Sequence, residues 1–546
     1  MKGFKKIICL LLALLILMLS ACELGTGSGG NSGIGGGDDL PHDHGDGNDD
    51  GLCDICLESL KGSDGDGSGD GNGDGNGDGD GDGDGDGDGD EEFILIDFYA
   101  INDLHGKLFD GSGHPGTDEL TTYLSKMKES DDEAVVLSTG DMWQGSAEAI
   151  LSGGMIITDW LDEIGCVSMT LGNHEFDRGD GAIKENRAIS GFPFLAINVY
   201  DKATGERAEY CEPSVFLEFE GYEVGIIGAI GDCYSSIASE QVENVYFKVG
   251  RELTSLVMAE SDRLRSMGAD IIVYSLHDGY GRSSNGFISS SNLSSYYDVA
   301  LSDGYVDLVF EGHTHQNYVL EDQYGVYHLQ GGGDNDGITH AELRLDLSSG
   351  EVRTTEAGFI RTSVYDSLEP DPVVEELKDA YYDAIAQGFE LLGSNSARRY
   401  SDYLCDTVAE LYAKFGEEHW GEYDVVLGGG FLQARSPYEL YRGEVYYKHL
   451  LEIFPFDNLL TLCKIDGATL SRRFINTSND SYSVAFTAYG EALGEIDPNE
   501  YYYIVVDSYT ASYAPNRLTV IEVYDEPVYA RDLLAEFIRG GGLEEE

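Results

Sequence analysis

Five short apolar runs each end in residues that can bind a metal ion or move a proton. FILIDFYAINDLHG carries Asp103 and His105, AVVLSTGDMWQGS carries Asp141, and VSMTLGNHEFD carries Asn173, His174 and Asp177. IIVYSLHDG carries His277, and VDLVFEGHTH carries His313 and His315. A single Asp-x-His pair arises often by chance, and a lone histidine after a strand is more often a satisfied core or surface residue than a ligand. The set carries the weight: five of the eight histidines between Phe93 and Ile360 fall in these motifs, beside short carboxylates and an Asn in glycine-flanked turns. Oxygen and imidazole donors without thiolate suit Mn, Zn, Fe or Co, and their number is enough for two divalent ions with Asp141 as the shared carboxylate. Two ions about 3.5 to 4 Å apart activate a hydroxide and clamp phosphoryl oxygens during in-line attack on phosphorus, so hydrolysis of a phosphate ester is the chemistry expected.

The elements that must position these residues follow from the same runs. From Phe93 to about Ile360, short apolar stretches alternate with polar clusters, the punctuation of an α/β fold whose strands deliver ligands at their carboxyl ends. Within 361–390 a connector helix is expected, because Val373, Val374, Leu377, Tyr381 and Ile385 recur at helical spacing over residues 371–392. A second apolar region runs from about Leu391 to Arg539. A chain of 546 residues exceeds one compact core, so two folded units are expected, 93–360 and 391–546.

Asp103-Leu104-His105, Gly140-Asp141, Gly172-Asn173-His174-Glu175 and Gly312-His313-Thr314-His315 closely resemble the motifs of calcineurin-like metallophosphoesterases. Over about residues 93–535 the wider arrangement resembles the bacterial 5′-nucleotidase family, with its UDP-sugar hydrolase and cyclic phosphodiesterase members. The resemblance implies a four-layer metallophosphoesterase sandwich, with two mixed β-sheets between helices, followed by a smaller α/β carboxy-terminal domain. It implies one metal held by Asp103, His105, Asp141 and His315, and another held by Asp141, Asn173, His277 and His313. It also implies a catalytic dyad of His174 and Asp177. An imidazole held by a carboxylate three residues on can stay protonated and stabilise the transferring phosphoryl group or the leaving oxygen.

DVVLGGGFLQARSPYELYRGEVYYKHLLEIFPFDNLL, from Asp424, is similar to the carboxy-terminal domain of the same family, especially at Gly428–Gly430 and Phe454–Asn458. In that family the domain reads the nucleoside. A Gly-rich turn would let backbone approach a ligand, Arg435 would meet phosphate, and Arg398 or Arg399 would add a second cation. Surface ion pairs are the competing reading for these arginines. Tyr509 and Phe431 are candidates to stack on a base, with core packing as the alternative. Three departures bear on substrate. Leu427 stands where the family has Asn, Arg435 lies farther from the glycines than usual, and DSYTASYAPNRL replaces a Gly-Gly-Asp-Gly loop. A 5′-nucleotidase type of reaction is therefore expected, with a 2′,3′-cyclic-nucleotide phosphodiesterase or a UDP-sugar pyrophosphatase open on the same site. A non-catalytic surface binding protein would require a missing ligand, and none is missing.

Lys2, Lys5 and Lys6, the apolar run Ile7 to Leu19, and Leu19-Ser20-Ala21-Cys22 read as a lipoprotein signal peptide over 1–22, with Cys22 the lipidated residue. The run is shorter than the about 20 residues of a stable span. An exported lipoprotein is expected, anchored through Cys22 on the outer face of the bacterial cytoplasmic membrane or at the cell surface. Residues 23–92 form an acidic Gly/Asp-rich linker with near-strict Gly-Asp alternation from about Asp64 to Asp90. Within it, residues 42–56 offer two metal readings. Asp46, Asn48, Asp50 and Gly51 open like a calcium loop that fails at Leu57, whereas His42, His44, Cys53 and Cys56 suit zinc. Acidic residues outnumber basic ones by 101 to 33, which repels a polyphosphate backbone. The expected partner is a small nucleotide or phosphate ester, not a nucleic-acid polymer. Cys166, Cys211, Cys233, Cys405 and Cys463 sit in apolar surroundings and read as buried free thiols.

Overall fold

A computed structural model describes residues 93–110, 115–131, 133–280, 300–435, 437–476, 482–487, 496–513 and 516–544. The expected signal peptide, Cys22, the linker and the 42–56 element lie outside the described residues. No described helix is long and apolar enough to cross a membrane.

Strand Phe93–Ile101 shows how the sequence builds layers, because successive side chains point to opposite faces. Ile96, Phe98 and Ala100 enter one core with Val224, Ile226, Val273 and Phe310. Tyr99 and Ile101 enter another with Leu120, Tyr123 and Trp160. The first of these cores separates two six-stranded mixed sheets. One runs, in spatial order, Val352–Arg361, Gly337–Asp346, Phe93–Ile101, Val135–Ser138, Cys166–Thr170 and Phe194–Leu195. The other runs Asn317–Glu321, Tyr327–Gly331, Leu308–Glu311, Ile271–His277, Tyr222–Ile230 and Ser214–Phe219. Helices Asp118–Ser130 and Met155–Glu163 cover the outer face of the first sheet. Helix Arg251–Met267 covers the second through Leu253, Val257 and Leu264. This is the expected four-layer sandwich.

The parallel pairings align the functional ends. Phe93–Ile101, Val135–Ser138 and Cys166–Thr170 run parallel in one sheet, and Ile271–His277 and Leu308–Glu311 run parallel in the other. All five motifs therefore emerge where strands finish, as open α/β sheets place their ligands.

Beyond residue 361 the helix expected as a single connector is broken into Val373–Ala380, Tyr382–Ile385 and a 3-10 turn Ala386–Phe389. The break follows from packing. Val374 and Leu377 belong to the first unit's core, and Tyr381 packs against it and donates to Asp159 at 2.6 Å. The chain must then turn to reach the second unit.

That unit has a five-stranded sheet in the order Tyr482–Phe486, Val425–Phe431, Tyr501–Asp507, Leu460–Asp466 and Thr519–Val523. Helix Ser401–His419 packs on strand Val425–Phe431 so closely that a Cβ on Gly428 would fall 2.1 Å from the Ala413 nitrogen. Gly428–Gly430 therefore lie inside a strand, not in a ligand-facing turn, and at Gly428 the space a side chain would fill belongs to the unit's own helix. One element is shared. Ala147 and Ile150, on helix Ala147–Leu151 of the first unit, are buried in the second unit's core with Leu450 and Leu451. The five expected thiols are buried and free.

Candidate active site

Five of the candidate ligands sit on left-handed backbone: Asp103, His105, Asp141, His313 and His315 have φ between 47° and 70°. Such a conformation costs a non-glycine residue about 1–2 kcal/mol, and it gathers where a site needs a chain turned sharply. Here it folds each strand end back so that the side chains converge. Room is made by Gly172, where a Cβ would lie 2.3 Å from Asp141 Oδ1.

Backbone carbonyls set the imidazole tautomers. His105 Nδ1 faces the Gln144 oxygen at 3.0 Å, and His277 Nδ1 faces the Thr139 oxygen at 2.8 Å. A carbonyl only accepts, so in the neutral ring each Nδ1 carries the proton and each Nε2 presents a lone pair, the arrangement that orients metal-binding histidines. His105 Nε2 lies 2.9 Å from His315 Nε2, which is 3.5 Å from Asp103 Oδ1. Across the site, His277 Nε2 lies 3.2 Å from Asp141 Oδ2 and 3.2 Å from Asn173 Oδ1. His313 Nδ1 lies 2.7 Å from the same Asn173 oxygen. Two groups result, Asp103/His105/His315 and Asp141/His277/His313, with donor atoms in each within 4.8 Å of one another.

The electrostatics call for positive charge. Asp103, Asp141 and Glu175 are all buried. Burial opposes the His277 cation, yet Asp141 and Asp103 outweigh it and push its pKa up to about 10. Burial and the Asp141 charge push Glu175 up to about 7. Converging imidazole nitrogens among buried carboxylates fit divalent cations in donor type and in charge.

Glu175 is a residue that the sequence reading passed over. Its carboxylate accepts from the backbone nitrogens of Asp141 at 2.9 Å, Met142 at 2.8 Å and Gly172 at 2.7 Å. It thereby ties the Asp141 turn to the turn that carries Asn173 and His174. The available signal was an acidic residue inside a ligand motif with no ligand role of its own.

His174 stands beside the donor groups. Its Nδ1 is 2.6 Å from Asp177 Oδ2, its Nε2 is 3.9 Å from Asp141 Oδ2, and its backbone nitrogen donates to Asp141 Oδ1 at 2.8 Å. Burial disfavours the charged ring, but Asp177 and Asp141 together hold its pKa up at about 9.

A cavity of about 460 Å³ joins these groups to the second unit, running from Asp141, His174 and His313 to Phe431, Arg435 and Tyr509. The Phe431 and Tyr509 rings are 6.1 Å apart with planes at 57°. Arg398 and Arg399 do not line it, which corrects the expectation of a second cation from that pair. Arg398 is exposed, paired with Glu439 and set against Tyr400 and Tyr441, while Arg399 lies over Tyr403 at 4.3 Å. The pairing forms because strands Arg399–Tyr400 and Glu439–Leu440 are neighbours.

Residues 96–317 match the family model for calcineurin-like phosphoesterases, and the chain carries a domain of that family, whose members are metal-dependent phosphoester hydrolases. Among related proteins, a Bacillus subtilis chain named endonuclease YhcR is 24% identical over 77% of this chain and 37% of its own length. A Vibrio cholerae 5′-nucleotidase is 27% identical over 40% of this chain and 40% of its own. The chain thus spans less than half the length of these two relatives. A 5′-nucleotidase precursor from Thermus thermophilus has the same fold, with a TM-score of 0.60 at 15% identity, covering 82% of this chain and 96% of that one.

Proposed function

We propose that this chain is an extracytoplasmic two-metal phosphoesterase that hydrolyses nucleotides in the manner of a 5′-nucleotidase. The observation that carries the reading is a single cavity lined by His315 of one donor group, by Asp141 and His313 of the other, by the His174–Asp177 pair, and by Phe431, Arg435 and Tyr509 of the second unit. Asp103, His105, Asp141 and His315 would hold one ion, and Asp141, Asn173, His277 and His313 the other. Divalent ions so held polarise phosphoryl oxygens and lower the pKa of water.

The chain's own groups do the rest. Asp177 keeps the proton on His174 Nδ1 and favours the charged ring, which stabilises negative charge on the phosphoryl or leaving oxygen. Asp141 Oδ1 fixes the backbone of His174 through one hydrogen bond, so the acid and the ligand shell move together. Arg435 supplies positive charge at the cavity wall. Phe431 and Tyr509 offer the aromatic surface against which a base would rest.

The same reading divides the chain at 361–390 into a catalytic unit and a substrate-binding unit, and places the catalytic unit outside the cell on a lipid anchor at Cys22. Turnover of AMP, cyclic AMP isomers, UDP-glucose, single-stranded DNA and p-nitrophenyl phosphate with Mn²⁺ tests it. Preference for AMP supports the proposal. Preference for the cyclic ester or UDP-glucose would move the assignment to those substrates, and preference for DNA would overturn the argument from acidic charge. No turnover of any ester by metal-loaded protein would overturn the catalytic reading. Labelling of Cys22 with palmitate tests the anchor.

A further inference from the structure

One loop of the second unit lies directly on the dyad of the first. The Phe456 ring is stacked on His174 with centroids 6.1 Å apart and planes 21° from parallel. What holds the loop is Arg531, which is only 4% exposed. Its Nη1 reaches the carbonyl oxygens of Phe454, Pro455 and Phe456 at 3.4, 3.2 and 2.9 Å, and its Nη2 pairs with Asp457 Oδ1. A buried guanidinium keeps its charge only where acceptors surround it, so three successive carbonyls and a carboxylate are locked to one side chain. The other Asp457 oxygen is 3.7 Å from Arg178 Nη2, and Arg178 directly follows Asp177. The loop is thus anchored in its own unit by Arg531 and hooked by Asp457 to Arg178, where helix Gly179–Ile189 begins just after the dyad.

We propose that Phe456 is a positioning residue for His174: clamped by Arg531 and hooked to Arg178 through Asp457, it fixes the imidazole plane. Asp177 restrains His174 at a single ring nitrogen, which sets one edge. A ring set nearly parallel beside it supplies a second restraint, on the ring plane. Phe456 also lies 5.7 Å from the Arg435 guanidinium, so the same ring borders the phosphate-facing cation. The inference rests on the proposed role of His174, and it differs from a nucleoside-platform role, in which Phe456 would touch substrate and leave His174 alone.

The experiment compares full-length wild type with Phe456→Leu and Phe456→Tyr, loaded with Mn²⁺, on AMP and p-nitrophenyl phosphate. Phe456→Leu is expected to lower kcat on both esters by on the order of tenfold, with KM for AMP and bound metal unchanged, because a misaligned group loses rate without losing binding. Phe456→Tyr keeps the ring and should restore kcat. A raised KM for AMP with normal kcat on p-nitrophenyl phosphate would make Phe456 a nucleoside contact and overturn the proposal. A readout independent of turnover is the NMR shift of the His174 ring protons in histidine-labelled, metal-free protein, assigned with His174→Gln. Phe456→Leu should move those signals downfield as the shielding ring is lost, and unchanged signals would overturn the stack. If wild type hydrolysed neither ester, the catalytic reading would fall, while the shift would still decide whether Phe456 orders His174.

Discussion

His105 Nε2 and His315 Nε2 approach to 2.9 Å from positions 210 residues apart in the chain. The Gln144 carbonyl has already claimed the His105 Nδ1 proton, so a lone pair of one ring faces the other ring at contact distance. With its Nε2 also unprotonated, His315 would present a second lone pair to the same cation. His105→Ala is therefore expected to lower the metal-to-protein ratio by about one equivalent, measured by elemental analysis after gel filtration. Retention of two equivalents would remove His105 from the ligand set.

Asp141→Ala should go further. Its carboxylate lies against His277 and His174 and would be shared by both ions, so its loss leaves two cations without the anion between them. Abolished hydrolysis together with loss of both equivalents is the expected outcome. Normal turnover with full metal content would end the bridging assignment.

For His174→Ala the expected pattern separates rate from binding. The residue is outside both donor groups, so metal content should survive while kcat falls by about 10²- to 10⁴-fold, the usual effect of losing an acid–base group. Loss of an ion in this variant would turn His174 into a ligand.

Glu175→Gln probes the tie between two turns. A carboxylate accepts all three backbone N–H groups, whereas a carboxamide turns an NH₂ toward at least one of them. The expected cost is about 1–3 kcal/mol of stability, read from denaturant unfolding, with a drop in metal affinity of about tenfold or more. Unchanged stability would show that the three bonds are not restraining these turns.

A pH effect is expected where the units meet. Glu452 has its carboxyl raised from 4.5 to about 7, by burial first, with Lys107 and Lys448 opposing and Glu148 adding. A carboxyl whose folded pKa is raised favours the folded state in its protonated form. That contribution is complete below about pH 4.5 and is lost as pH rises through 7. The melting midpoint of wild type should therefore fall relative to that of Glu452→Gln between pH 5 and pH 8. Parallel profiles across that range would refute the shift.

The first unit was legible because its candidate ligands follow strands. Strand ends are fixed by apolar patterning, and parallel pairing brings them to one edge whatever the helices between them do. The second unit was less legible because its reading depended on where side chains point after folding. Gly428 reads as ligand-facing in sequence but is a contact with helix Ser401–His419, and Arg398 finds Glu439 only because two short strands pair. Glu175 was in view within a recognised motif, yet its role lies in three backbone nitrogens that no side-chain pattern displays. Phe456 was likewise visible, but its partner His174 lies 282 positions away.

Helix Ala147–Leu151 begins six residues after Asp141 and seats Ala147 and Ile150 in the core of the other unit. A gene fusion that exchanged residues 391–546 for the same region of a relative would thus have to supply a cavity shaped for those two side chains. Without it the mismatch would be felt at the turn that carries Asp141, so substrate preference and catalytic geometry can diverge in evolution only as fast as this small helix allows.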